Sequence, residues 1–172
     1  MRRTPLSRAA LAACPALAAG LLLSAAPAAR AADTPLPLTA VSDKQTTVRG
    51  GEFTLTLTLT NPYDTPIQFV YQSVQETYGT SLQNGLKFTA TACGTQTNGC
   101  SDNVHGGIAR YNVPLAPGAS SSFTVTYAVA RDSACGPATR IDFYSYLYYE
   151  YNSGESSNSG IVGVPGTQVA CS

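Results

Sequence analysis

Few side chains in this sequence have the type and spacing to do chemistry, and they fall into three groups. The first is cysteine: five are present, and Cys93, Cys100, Cys135 and Cys171 lie outside the N-terminal segment. An even number in an exported chain reads as two disulfides. Metal ligation would want Cys-x-x-Cys knuckles or nearby histidines, and the single histidine is His105. The second group is acidic. Asp142 and Glu150 share one side of a strand-like run, but eight residues of strand separate them by about 26 Å, too far for the paired carboxylates of glycoside hydrolysis. The third is aromatic. Residues 142–151 read DFYSYLYYEY, and alternation sets Tyr144, Tyr146 and Tyr148 in a row between two carboxylates.

Catalysis finds little to work with. A serine or cysteine nucleophile needs a base beside it, and His105, followed by Gly106 and Gly107, reads as a loop histidine with no constellation around it. Asp64, Asp102 and Asn103 lack the Asp-x-Asp-x-Asp spacing of a calcium loop. There is no phosphate loop and no dinucleotide fingerprint. These residues predict a non-enzyme that uses no cofactor and no metal.

Two features remain for binding. Tyrosine combines a large apolar ring with a polar tip at low entropy cost, as recognition surfaces require. The tyrosines at 144, 146 and 148 read either as a strip that docks a glycan or a protein, or as cross-strand packing against neighbours such as Val162 and Val164. The stretch Gly94–Gly99, between Cys93 and Cys100, reads either as a stapled turn at Asn98-Gly99 or as a rigid loop presented to a protease or receptor.

Strands must position all of these. Phe53, Leu55, Leu57 and Leu59 alternate with Thr54, Thr56, Thr58 and Thr60. A period of two puts the apolar groups on one face, and threonine suits the wet face of a pleated strand. Ser121–Ala130 repeats the pattern, with Phe123, Val125, Tyr127 and Val129 on one side. Further strands are expected at Leu38–Ser42, Ile67–Val74, Leu86–Ala92, Ile108–Val113, Thr139–Tyr151 and Ile161–Ala170. Turns separate them at Gly50-Gly51, Asn61-Pro62, Asn84-Gly85 and residues 114–118, and after Tyr151. Ile67–Val74 alternates without a clear apolar side. In Thr139–Tyr151, by contrast, Ile141, Phe143, Ser145, Leu147 and Tyr149 form the natural core face. Strands with one wet face belong to antiparallel sheets, and their spacing of about ten residues predicts a β-sandwich of about seven to nine strands with no helix.

The ends add location. Arg2, Arg3 and Arg8 precede an uncharged run over 9–29 that closes on Ala29-Arg30-Ala31. This pattern predicts a signal peptide over 1–31, cleaved after Ala31, and export through the general secretion route. The domain expected after it, 32–172, is a single one. The leader takes four of the ten Lys and Arg and none of the ten Asp and Glu, so the remainder carries six against ten, a net charge of −4. A weakly acidic surface with two lysines argues against nucleic acid, and no second apolar run offers the mature chain a membrane anchor.

Taken in order, FTLTLTLTN, GLKFTA and PLAPGASSSFTVTYAV, followed by a long strand and an Asn- and Ser-rich turn, resemble the bacterial immunoglobulin-like repeat domain of secreted and cell-surface proteins. TNPYDTPIQFVYQSVQ also resembles the immunoglobulin-like domain of a bacterial intracellular proteinase inhibitor family, although this chain has no tryptophan. Both likenesses imply an immunoglobulin-like sandwich and a non-catalytic role. The expectation is a secreted module that binds a protein or glycan, or serves structurally, at the cell envelope. The alternative is a secreted protease inhibitor presenting the loop between Cys93 and Cys100. The expected bridges are Cys93–Cys100 and Cys135–Cys171, because a hairpin turning near Ser153 sets Cys135 across from Cys171.

Overall fold

A computed structural model describes residues 35–95, 97–103 and 105–171, with the backbone alone over 95 and 97–103. The expected leader lies outside them. The described residues form ten strands: β1 (Leu38–Ser42), β2 (Thr46–Val48), β3 (Glu52–Thr60), β4 (Ile67–Glu76), β5 (Phe88–Thr95), β6 (Thr97–Asn103), β7 (Gly106–Tyr111), β8 (Ser120–Val129), β9 (Arg140–Tyr151) and β10 (Ser156–Ala170). They assemble into a four-stranded sheet, β1-β3-β8-β5, and a six-stranded sheet, β2-β10-β9-β4-β7-β6. Neighbouring strands are antiparallel except for β2, which runs parallel to the end of β10.

The first, third and eighth strands share a sheet with β5, while the fourth, ninth and tenth share the other. That division matches the two sheets of an immunoglobulin sandwich, one face widened by extra strands as in variable-type domains. The architecture is an immunoglobulin-like antiparallel β-sandwich.

The alternating sequences explain the core. Phe53, Leu55, Leu57 and Leu59 of β3 and Phe123, Val125, Tyr127 and Val129 of β8 are buried. Across the gap they meet Ile141, Phe143, Leu147 and Tyr149 of β9. Tyr127 joins the two layers, its ring centroid 5.3 Å from Phe53 in its own sheet and 4.7 Å from Phe143 in the other. The turn after β3 is held as its residues suggest. Asn61 is buried, accepts from the N–H of Tyr63 at 3.0 Å, and donates to the carbonyls of Thr65 and Leu115.

Three expectations need correction. The stretch Gly94–Gly99 is not a loop: its first residues end β5 and its last run in β6. Cys93 faces Val125 in the four-stranded sheet, whereas Cys100 faces Ala109 in the six-stranded one, so the chain crosses between layers here. Gly94 is tolerated inside β5 because Thr124 occupies its side-chain space; a Cβ there would fall 1.7 Å from Thr124 Oγ1. Second, a single helical turn, α1 (Tyr78–Ser81), follows β4 where none was expected, capped by Thr77, whose hydroxyl accepts from the N–H of Thr80. Third, the β9–β10 hairpin turns between Ser153 and Gly154, with Tyr151 opposite Ser156, and β10 starts five residues earlier than Ile161. The expected bridge at its open end is present, joining Cys135 to Cys171 with Cα atoms 5.1 Å apart. Cys93 is also disulfide-bonded, and the side chain of its expected partner, Cys100, lies outside the described residues.

Candidate functional site

The candidate site is the outer face of the six-stranded sheet, built on β9. The parity read from DFYSYLYYEY holds in space. Ile141, Phe143, Ser145, Leu147 and Tyr149 are buried, and Tyr144, Tyr146 and Tyr148 are half-exposed on the opposite face. The polar groups that β9 turns inward are satisfied, as burial demands. Ser145 accepts from Gln72 Nε2 at 3.0 Å, Gln72 in turn accepts from the Tyr111 hydroxyl, and the Tyr149 and Tyr63 hydroxyls pair at 2.8 Å. Burial pushes the Tyr111 phenol well above its ordinary pKa.

The outward tyrosines have different neighbours from those expected. Val162 and Val164 pair with Ser145 and Phe143, so they face the core and cannot cover the strip. The outward residues of β10 beside the rings are Ser159, Ile161 and Gly163, and on the other side lie Tyr71, Ser73 and Gln75 of β4. Tyr71 packs at 6.2 Å from Tyr146, and Phe69 meets Tyr148 edge-on at 6.0 Å. The hydroxyl tips are oriented: Tyr144 donates to Gln75 Oε1 at 2.6 Å and Tyr148 to Glu150 Oε1 at 2.7 Å. The bond to the Glu150 carboxylate, aided by partial desolvation, holds the Tyr148 proton and raises its pKa.

The face therefore extends beyond the three tyrosines. Phe69 (46% exposed), Tyr71 (38%) and Ile161 (69%) carry large apolar surface to solvent beside them. Between β4 and β7 this face opens into a groove of about 460 Å³, lined by Phe69, Tyr71, Ile108, Arg110 and Val113. Arg110 faces Tyr71 across the strand pair, and its guanidinium makes no hydrogen bond or ion pair among the described residues. Sequence reasoning missed Phe69 and Tyr71 because a bulge between Ile67 and Phe69 changes which face the strand presents. Two aromatic residues spaced by two were the available signal.

A second cleft, of about 510 Å³, lies at the Tyr144 end, lined by Gln75, Glu76, Tyr78, Ser81, His105 and Tyr144. His105 is not a free loop residue. Its Nδ1 lies 3.1 Å from Glu76 Oε1, and its ring stacks 4.7 Å from that of Phe88. The Ser81 hydroxyl donates to the carbonyl of Tyr78 instead of to His105. Among the described residues no group of three or more His, Cys, Asp or Glu is placed to hold a metal ion, and no helix is long and apolar enough to cross a membrane.

No protein-family model and no curated protein sequence matches the chain. Solved structures resemble it in fold. Domains D2 and D3 of the major pilin SpaD from Corynebacterium diphtheriae match at 10% identity over 73% of this chain and 49% of that one, with a TM-score of 0.47. The seventh ScaB type I cohesin from Pseudobacteroides cellulosolvens matches at 13% identity over 78% and 93%, with a TM-score of 0.48. A Nocardia farcinica protein described as having an immunoglobulin-like fold matches at 12% identity over 76% and 97%, with a TM-score of 0.34. The chain spans about half the length of the pilin fragment. These are likenesses of strand arrangement alone, and the resemblance to bacterial immunoglobulin-like domains rests on the order of the strands in the two sheets.

Proposed function

We propose that this chain is a secreted, non-catalytic immunoglobulin-like module that binds a protein or glycan partner at the cell envelope through the outer face of its six-stranded sheet. The observation that carries this reading is the aromatic face: Tyr144, Tyr146, Tyr148, Phe69 and Tyr71 share one surface, with Ile161 exposed at its side. Contiguous apolar surface of this kind marks interaction sites in soluble proteins. The hydroxyls tied to Gln75 and Glu150 fix the rings, which lowers the entropy cost of docking. Export is supported by the basic, then apolar, then small-residue pattern over 1–31, and by the Cys135–Cys171 bridge, which suits an oxidising compartment. The non-catalytic reading is supported by the Ser81 hydroxyl, which shares a cleft with His105 but donates to the Tyr78 carbonyl and not to the imidazole. An inhibitor role would need a projecting segment between Cys93 and Cys100; the backbone runs in β5 and β6 there, and no observation favours that role.

The test replaces all three tyrosines, Tyr144→Ser, Tyr146→Ser and Tyr148→Ser, in the secreted protein. Binding to isolated envelope polysaccharide and to solubilised envelope proteins is measured by calorimetry, and folding by thermal melting. The expected result is lost binding with a cooperative melt. Binding that survives the triple substitution would end this reading, and tight stoichiometric inhibition of an extracellular protease would replace it with the inhibitor role.

A further inference from the structure

The tenth strand has an open edge. It pairs with β9 from Ser156↔Tyr151 to Gln168↔Arg140, but on its other side it meets β2 only at Gln168–Ala170. Among the described residues no strand pairs with Ser156–Val164 on that side. In an antiparallel ladder, residues bonded to one neighbour alternate with residues that turn their N–H and C=O the other way. Ser159 is of the second kind: its N–H donates to Asn158 Oδ1 at 2.8 Å, a bond that pairing with another strand would replace. Ser157, Ile161 and Gly163 share its parity.

Natural edges are normally protected by charge, proline, a bulge or brevity. Over Ser156–Val164 this one has none of these, although Leu36 and β1 of the other sheet lie beside the strand from Gly160 to Thr167. Between Glu155 and Pro165 the sequence SSNSGIVGV contains no charged residue and no proline, and the bulge in the strand falls after Val164. Ile161, beside the edge on the outer face, is 69% exposed.

We propose that this edge pairs antiparallel with the same edge of a second copy of the chain, about a two-fold axis at Gly160, joining two six-stranded sheets into one. The sequence selects this occupant. Ser156–Val164 is centred on Gly160, so self-pairing there engages every outward residue. Ser157 meets Gly163 of the partner subunit, and Ser159 meets Ile161 of the partner subunit. Such a contact is isologous and closes on itself. Two identical charged strands would repel, and this stretch brings no like charges together. Each hydrogen-bonded pair exchanges two bonds, so the contact forms on the order of eight. At the axis, Gly160 leaves its inward side to Leu36; a Cβ there would lie 2.8 Å from Leu36 Cδ1. The outer faces of the two copies join, so that two tyrosine strips lie on one continuous sheet.

Sedimentation of the secreted protein over a dilution series tests the pairing. The expected particle has twice the chain mass at high concentration and dissociates on dilution. Ile161→Lys adds a charge to the edge at an exposed position and yields the single-chain mass at every concentration with an unchanged melting curve. The double variant Ser159→Cys with Ile161→Cys cross-links copies on a non-reducing gel, and neither single variant does. A wild-type protein of single-chain mass throughout overturns the pairing, as it would if a strand of a different protein occupied the edge. A double-mass particle that is indifferent to Ile161→Lys and gives no cross-link also overturns it. Neither failure touches the binding role of the tyrosine face, which is read from a separate measurement.

Discussion

The two outer faces of the sandwich share a pattern and differ in chemistry. On the four-stranded sheet, the outward residues of β3 and β8 are small hydroxyls that satisfy one another across the strand pair. Thr54 bonds Thr126 at 3.0 Å, Thr58 bonds Ser122 at 2.9 Å and Thr60 bonds Ser120 at 2.8 Å. On the six-stranded sheet, the outward residues of β9 and β4 are rings whose hydroxyls point to a carboxylate and an amide at the margins of the strip. Both inner faces are buried in one core, and the six-stranded one also takes in Gln72 and Ser145. Core formation therefore explains the inward half of every strand and says nothing about the outward half. Threonine is sufficient to make a good outer face, so five aromatic rings on the other one ask for a reason beyond strand stability.

The largest expected effect tests the claim that the inner faces form one core. Leu57 in β3 and Leu147 in β9 are both fully buried. Leu57→Ala and Leu147→Ala should each cost about 3 kcal/mol, the usual price of a large-to-small change in a packed core. Chemical denaturation of each variant reads this directly. A cost below about 1 kcal/mol for one of them would mean that the two layers do not form one cooperative core.

A smaller effect, of opposite sign, is expected where the layers meet. The Tyr127 hydroxyl is buried without a hydrogen-bond partner among the described residues. Burial first, and the nearby Glu76 charge second, push its pKa well above the ordinary tyrosine value. A raised folded-state pKa means that this group's contribution is fully present below about pH 10, the unfolded value, and is lost as pH rises toward the folded one. Tyr127→Phe keeps the stacking on Phe53 and removes the orphaned hydroxyl. It should stabilise the protein by about 1 kcal/mol at neutral pH and reduce the loss of stability in alkali. A destabilised variant with an unchanged alkaline limb would refute this account of the ring.

Much of the fold was legible because β3, β8 and β9 alternate without interruption. The hairpin bridge was legible too, since Cys135 and Cys171 lie nearly equidistant from the turn. What was hidden followed from local departures from a period of two. In β4 the bulge after Ile67 turns Ile67 inward and Phe69 outward, and the core then takes Val70, Gln72 and Val74. A strand whose parity changes within two residues shows no side to a periodicity count, so its half of the aromatic face was missed. The glycines in Gly94–Gly99 were read as a turn, because sequence alone does not show that Thr124 fills the space above Gly94. Nor could periodicity place Gln72 in the core, since the partners that satisfy it there, Ser145 and Tyr111, lie on strands distant in sequence.

The smallest effect sets the two outer faces against each other. Thr58→Val preserves the branched shape and the strand preference of the residue and removes one hydroxyl. The 2.9 Å bond to Ser122 is lost, but it lies on a half-exposed face where water can replace it. The change in stability should stay within about 0.5 kcal/mol, and partner binding should not change. Tyr146→Thr makes the complementary exchange on the other sheet, giving that face the residue which serves its opposite. It removes the ring contact with Tyr71 and a half-exposed apolar surface, so a modest loss of stability is expected together with a marked loss of binding. Calorimetry against the same envelope fraction compares the two variants. Equal binding losses would place the partner on neither face in particular, and a loss confined to Thr58→Val would move the site to the hydroxyl ladder.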